Sequence, residues 1–169
     1  MRLPITPSEI APRIATGAFI LNSGLGKRNA DGATAAGLHG FASGTYPFLK
    51  QVDPKTFATA LSAAEITLGA ALLTPFVPAA VAGAGLTAFA GGLLGLYLRT
   101  PGMTKPGASI APTQEGLPIA KDVWMLGIGL GLLTQGLTER SERRSASLQK
   151  RASKVAAKAA KKARKAARR

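Results

Sequence analysis

ITLGAALLTPFVPAAVAGAGLTAFAGGLLGLYL, residues 66–98, contains no charged side chain. As one helix it would measure roughly 50 Å at ~1.5 Å per residue, against a hydrocarbon core of ~30 Å. The break is written in Thr74-Pro75-Phe76-Val77-Pro78. Proline removes an amide donor and disfavours helix at the residue before it. The stretch therefore predicts a helical hairpin with two long apolar arms. The first arm starts at Asp53, a suitable N-cap, with Pro54 at the first helical position, and runs over residues 54–73. The second covers residues 78–98 and ends at Arg99. A water-soluble helix would carry a polar face, and AAVAGAGL, residues 79–86, has none. An arm that is apolar all round points to lipid.

Outward from the hairpin, Pro101, Gly102, Pro106, Gly107 and Pro112 oppose regular structure, so residues 99–117 read as a loop. Residues 123–137 form a third uncharged segment, long enough to cross when Pro118 opens it and Lys121-Asp122 lie at the interface, with Trp124 in the headgroup belt. The N-terminal segment is expected to be a fourth helix. Thr6-Pro7-Ser8-Glu9 matches a capping box, apolar character runs over residues 10–25, and Arg13 is expected to snorkel to the near interface. Gly26 marks its end, before Lys27 and Arg28. The opening MRLPITPSEIAPR lacks the basic n-region and unbroken apolar core of a cleavable signal, so this helix is expected to be retained. Residues 33–49 are uncharged but broken by Gly37, Gly40, Gly44 and Pro47; they read as an interfacial or re-entrant segment anchored by Phe41, Tyr46 and Phe48. A fifth crossing there stays open. The predicted fold class is all-α: a four-helix transmembrane bundle with that segment after its first helix.

Charge divides the 169 residues unevenly. The net charge is +14, and residues 139–169 hold 13 cations and 2 acids, leaving only +3 for the preceding body. The division predicts a membrane domain over residues 1–138 and a basic Ala/Lys/Arg tail over 139–169, helical under some conditions because helix propensity is high while self-repulsion opposes it. Cations just beyond the last apolar segment hold that end in the cytoplasm. With four crossings both termini and the 74–78 turn are then cytoplasmic, while Lys27, Arg28, Lys50 and Lys55 fall outside. The absence of cysteine excludes a disulfide framework, a thiol nucleophile and a thiolate metal site within the chain. The single histidine, His39, excludes a three-His site from this chain alone and reads as a polar interfacial residue rather than a ligand.

Glu65 is the most informative residue. It falls about eleven residues, or ~16 Å, into its helix, and an acid at that depth must be paired, protonated or facing a cavity. Two readings stand side by side: a proton-accepting or ligand-facing carboxylate, and a structural hydrogen bond to Arg13, Asn22, Ser23 or Thr67. Gly91 with Gly95, and Gly127 with Gly131, have the GxxxG spacing that lets helix backbones approach, with packing inside one monomer preferred over a dimer interface. In the tail, Lys150, Arg151, Lys154, Lys158, Lys161, Lys162, Arg164, Lys165, Arg168 and Arg169 suit anionic lipid headgroups or nucleic acid. Lipid is the preferred partner. Such tails resemble those of linker histones, but no aromatic residue is interleaved for base stacking.

Arg13-Ile14-Ala15-Thr16-Gly17-Ala18-Phe19 with Gly24 and Lys27, then Ala64-Glu65 with Gly69, Leu72 and Leu73, then Lys121-Asp122 before the last helix, resemble the DoxX-like family of small bacterial membrane proteins. The likeness covers residues 10–137; the Ala-rich basic tail looks like that of actinobacterial members. It implies a four-helix fold in the bacterial inner membrane with Glu65 as the family's acid. Some relatives are linked to quinone-coupled thiosulfate oxidation or oxidative-stress complexes, so a quinone is expected through the resemblance alone, and no cofactor motif is evident. The expected function is a non-catalytic integral membrane subunit or scaffold of a redox or envelope-stress complex, with a membrane or redox protein as partner. The alternatives are a quinone-linked oxidoreductase component using Glu65, and a membrane tether that binds nucleic acid through the tail.

Overall fold

The computed structural model describes residues 5–107 and 109–166. These form α1 (Pro7–Lys27), α2 (Gly32–Thr45), a 3-10 turn (Pro47–Gln51), α3 (Pro54–Leu73), α4 (Ala79–Arg99), the single turn α5 (Leu117–Ala120) and α6 (Val123–Ala166). The described residues hold no strand, only an isolated bridge between Thr104 and Pro112. Three helical segments are long and apolar enough to cross a membrane: Pro54–Leu73, Ala79–Arg99 and the apolar part of Leu117–Lys158. They mark the chain as a helical membrane protein in contact with lipid.

Local chemistry sets the helix ends. Glu9 accepts from the Thr6 amide at 3.2 Å and from its hydroxyl at 2.9 Å, the reach-back that opens α1. Asp31 and Asp53 accept from the Thr34 and Thr56 amides at 2.7 and 3.0 Å, capping α2 and α3. Those amides hold both carboxyls below their ordinary pKa. The prolines end α3 at Leu73 and restart the chain as α4 at Ala79, which is the expected hairpin. The 100–116 loop turns on Gly102 and Gly107, whose φ angles of 86° and 88° favour glycine.

Residues 33–49 form a regular helix, α2, and a 3-10 turn. They lie against α3, where the His39 ring meets Phe57, and are tied to α4 by a hydrogen bond from Tyr46 Oη to the Gly92 carbonyl at 2.9 Å and one between the Thr45 and Thr100 hydroxyls at 2.8 Å. The glycines there are tolerated because α2 is short and held by its neighbours. α6 runs unbroken from Val123 to Ala166, so the basic tail is helical here through Ala166 and the 138/139 boundary falls within one helix.

The closest helix pairs are α1 with α3 and α4 with α6, each antiparallel, with thinner contact between the pairs. The core gathers Ile20 and Leu72 from one pair and Ala82, Leu86, Ala90, Met125 and Leu132 from the other. The helix backbones approach each other at glycines other than those of the GxxxG spacings. A Cβ at Gly69 would lie 2.6 Å from the Leu21 amide, and one at Gly83 would strike the Leu133 backbone. Gly17, Gly24, Gly129 and Gly136 are similarly enclosed, whereas Gly91, Gly127 and Gly131 have nothing within 4 Å and Gly95 faces the Tyr46 ring. The packing spacing is one glycine per two turns (Gly17 and Gly24, Gly129 and Gly136), which keeps it on one face of a helix paired along its whole length.

Gly83→Val should therefore lower stability by about 1–3 kcal/mol through overpacking, read as thermal unfolding in detergent. Gly127→Val should leave the midpoint unchanged, and equal losses in the two variants would contradict the assigned faces.

Candidate functional site

Arg13 leads the inventory of buried charge, because its side chain does not snorkel. Arg13 is 3% exposed and lies against the end of α3. Its Nε donates to the Leu72 carbonyl at 2.9 Å, and Nη2 donates to Ala71 and Thr74 at 3.1 and 2.9 Å. Both terminal nitrogens reach the Val77 carbonyl at 3.1 Å. The last carbonyls of a helix have no intrahelical partner, and a planar fork of donors satisfies several at once. The cation is balanced by Glu9, fully buried one turn earlier, at 3.3 Å. Gln135 Nε2 of α6 then donates to Thr6 Oγ1 at 2.6 Å and Glu9 Oε1 at 3.2 Å. One i,i+4 pair on α1 thus joins α1, the α3–α4 turn and α6. The spacing was visible in the sequence, but its target was not.

The second buried charge is Glu65, 4% exposed. Its partner is none of the four candidates. Lys27 Nζ donates to Oε2 at 2.8 Å and Oε1 at 3.0 Å, and also to Ser23 Oγ at 2.6 Å and the Ser23 carbonyl at 3.3 Å. Ser23 belongs to the site, then, but through the lysine. Lys27 is at the end of α1, level with Ala58 and Thr59 of α3, and its four-carbon stem carries the ammonium inward. Ser62 Oγ donates to the Gly24 carbonyl at 2.8 Å and fixes the register one turn away.

Beside this ion pair is a cavity of about 340 Å³, closed in by α1, α2, α3, α4 and the start of α6. Phe19, Phe41, Phe57 and Phe89 wall it, with Leu38, Leu61, Leu93, Leu96 and Met125, and its charged lining is Lys27, Glu65 and Asp122. Among the described residues the Asp122 carboxylate makes no hydrogen bond. Sequence reasoning took Asp122 for an interface marker and missed that the turn before α6 brings it to the same space as Glu65.

His39 stands outside this cavity: Nε2 lies 2.9 Å from the Leu49 carbonyl and its ring meets Phe57 edge-on at 5.6 Å. Lys150, Arg151, Lys154 and Lys158 are exposed on α6. Lys161, Lys162, Arg164 and Lys165 lie further along the helix, where only the backbone is described, and Arg168 and Arg169 fall outside the described residues.

Two substitution series follow. Arg13→Leu should cost about 3–5 kcal/mol, since it leaves Glu9 as an unpaired buried charge and strips several carbonyls of donors. Lys27→Met should destabilise by a similar amount, whereas Lys27→Met combined with Glu65→Leu should recover most of the loss, because removing both charges also removes their desolvation cost. Thermal unfolding of the four proteins in one detergent reads the cycle; a double variant as weak as Lys27→Met would contradict a pairing role.

Compared with known family models, curated proteins and solved structures, the chain matches none.

Proposed function

We propose that the chain is a non-catalytic integral membrane subunit or scaffold, a four-helix bundle in the bacterial inner membrane serving a redox or envelope-stress complex. The observation that carries this reading is the engagement of Glu9, Arg13, Lys27 and Glu65 in two buried ion pairs. Glu65 is held by Lys27 in a two-oxygen ion pair, and Glu9–Arg13 is consumed in joining helices. On this reading the paired charges serve to hold the helices in register. The resemblance to the DoxX-like family supplies the redox or stress context.

The fourth crossing is α1. It runs antiparallel along α3, from Arg13 at Leu72 to Lys27 beside Ala58, and so shares the depth of a spanning helix. Its 21 residues reach ~31 Å, and Glu9, Arg13 and Lys27 are paired inside the protein, which offsets what their charge would cost in lipid. Gln135 and the 74–78 turn meet the start of α1 at one end, which by the positive-inside rule is the cytoplasmic end. The chain has no cysteine, so introduced thiols report topology cleanly. Phe76→Cys and Ser147→Cys should label from the cytoplasmic side and Asn29→Cys from the outer side; labelling of Phe76→Cys and Ser147→Cys from opposite sides would reject four crossings. Purification in mild detergent should bring a stable protein partner, and a lone monomer across several detergents would count against a scaffold.

A second reading, a quinone-linked oxidoreductase component, is favoured by the Phe-walled cavity beside Glu65. On that reading Glu65 handles protons at the cavity wall, and Glu65→Gln abolishes quinone-dependent turnover; unchanged turnover rejects it.

A further inference from the structure

The tail's cations are not scattered. Arg140, Arg143, Arg144, Lys150, Arg151, Lys154 and Lys158 are all exposed on α6. At ~100° per residue these positions fall within about 120° of the helix circumference. Lys161, Lys162 and Lys165 continue the same register in the sequence. Ser, Ala and Gln fill most of the remaining surface, and beyond Glu142 the chain has no acid at all. Arg164 falls about 40° outside that arc, and the other cations form a stripe along a single edge.

The second observation is continuity. No glycine or proline occurs after Gly136, and α6 passes from its apolar part into the tail as one helix. A helix that leaves the bilayer without a break stands away from it. Counted from Leu137 at ~1.5 Å per residue, Lys150 is ~20 Å and Lys158 ~31 Å along the helix. The Debye length in physiological salt is ~8 Å, so anionic headgroups are screened from all but Arg140, Arg143 and Arg144. Lying flat on lipid would need a kink for which α6 has no residue.

We infer that α6 carries a rigid, one-sided cationic arm that binds duplex DNA through its phosphates, independent of base sequence. A helix of ~10–12 Å diameter matches a major groove ~12 Å wide, and duplex DNA presents one negative charge per ~1.7 Å of axis. Without aromatic residues in the tail there is no stacking platform for single strands. An acidic protein is a poorer fit, because Leu148 and Val155 are the only large apolar residues exposed beside the stripe, too few for the buried anchors of a protein interface. The inference rests on the cytoplasmic tail of the proposed topology for its place in the cell, but not for the contact itself.

The test uses the full-length protein in nanodiscs, which expose both faces, so the result does not depend on orientation; cysteine labelling decides that separately. A fluorescent duplex should bind discs of zwitterionic lipid at about 50 mM salt, with a log–log salt slope of roughly −4.5 for about five phosphate contacts. Replacing Lys150, Arg151, Lys154 and Lys158 by Gln should weaken binding at least tenfold and flatten the slope. A tail of identical composition with its cations spread around the helix should bind several-fold more weakly. Absence of binding by the intact protein, equal binding by the rearranged tail, or loss of DNA binding when the discs contain phosphatidylglycerol would each overturn the arm, the last by putting the tail on lipid.

Discussion

The carbonyls at the end of α3 set the terms for the rest of the molecule. A helix that stops leaves its last carbonyls without partners inside the helix, and other donors must take them. Here the chain turns back at once, so those carbonyls stay against the bundle. Arg13 serves Ala71, Leu72, Thr74 and Val77 from a neighbouring helix. That solution fixes where α1 must lie, and Glu9 must then accompany the cation. Through Gln135 the same carboxylate draws in α6. The position of three helices follows from one backbone requirement.

At the other end the problem is reversed. Glu65 brings a negative charge into the bundle, and Lys27 reaches down from the end of α1 to meet it. The two ion pairs therefore hold α1 at both ends against α3, with Gly17, Gly24 and Gly69 allowing the backbones between them to touch. α1, less apolar than α3 or α4, is also the one held at both ends by polar contacts. The α4–α6 pair, by contrast, is assembled from apolar contacts and small residues.

Much of this was legible in residue order. The Thr74–Pro78 break, the caps at Thr6 and Asp53, and the apolar arms are local properties, and local chemistry decided them. The depth of Glu65 was also legible, and with it the need for a partner. Which partner was not: Lys27 is 38 residues away, and only the antiparallel packing of α1 on α3 brings it there. Arg13 misled for a related reason. A long cationic side chain near a helix start can reach for water or for another helix's end, and the choice depends on a turn some 60 residues later. The glycines erred differently. GxxxG spacing identifies surfaces able to approach, but which surface meets a neighbour is a tertiary matter, and heptad-spaced glycines occupied the seams instead. The helicity of residues 32–45 was hidden by glycines whose cost is repaid by contacts with α3 and α4.

The thin contact between the two helix pairs has a mechanical consequence. The α1–α3 and α4–α6 pairs are fastened to each other by Arg13, Glu9 and Gln135 at one end, whereas the other end encloses the Phe-walled space. Stiffness is therefore graded along the bundle's length. At the end without that fastening the two pairs are bridged by α2, which lies across α3 and α4. The Phe-walled space is therefore the part of the bundle least braced by hydrogen bonds between the two helix pairs, among the described residues.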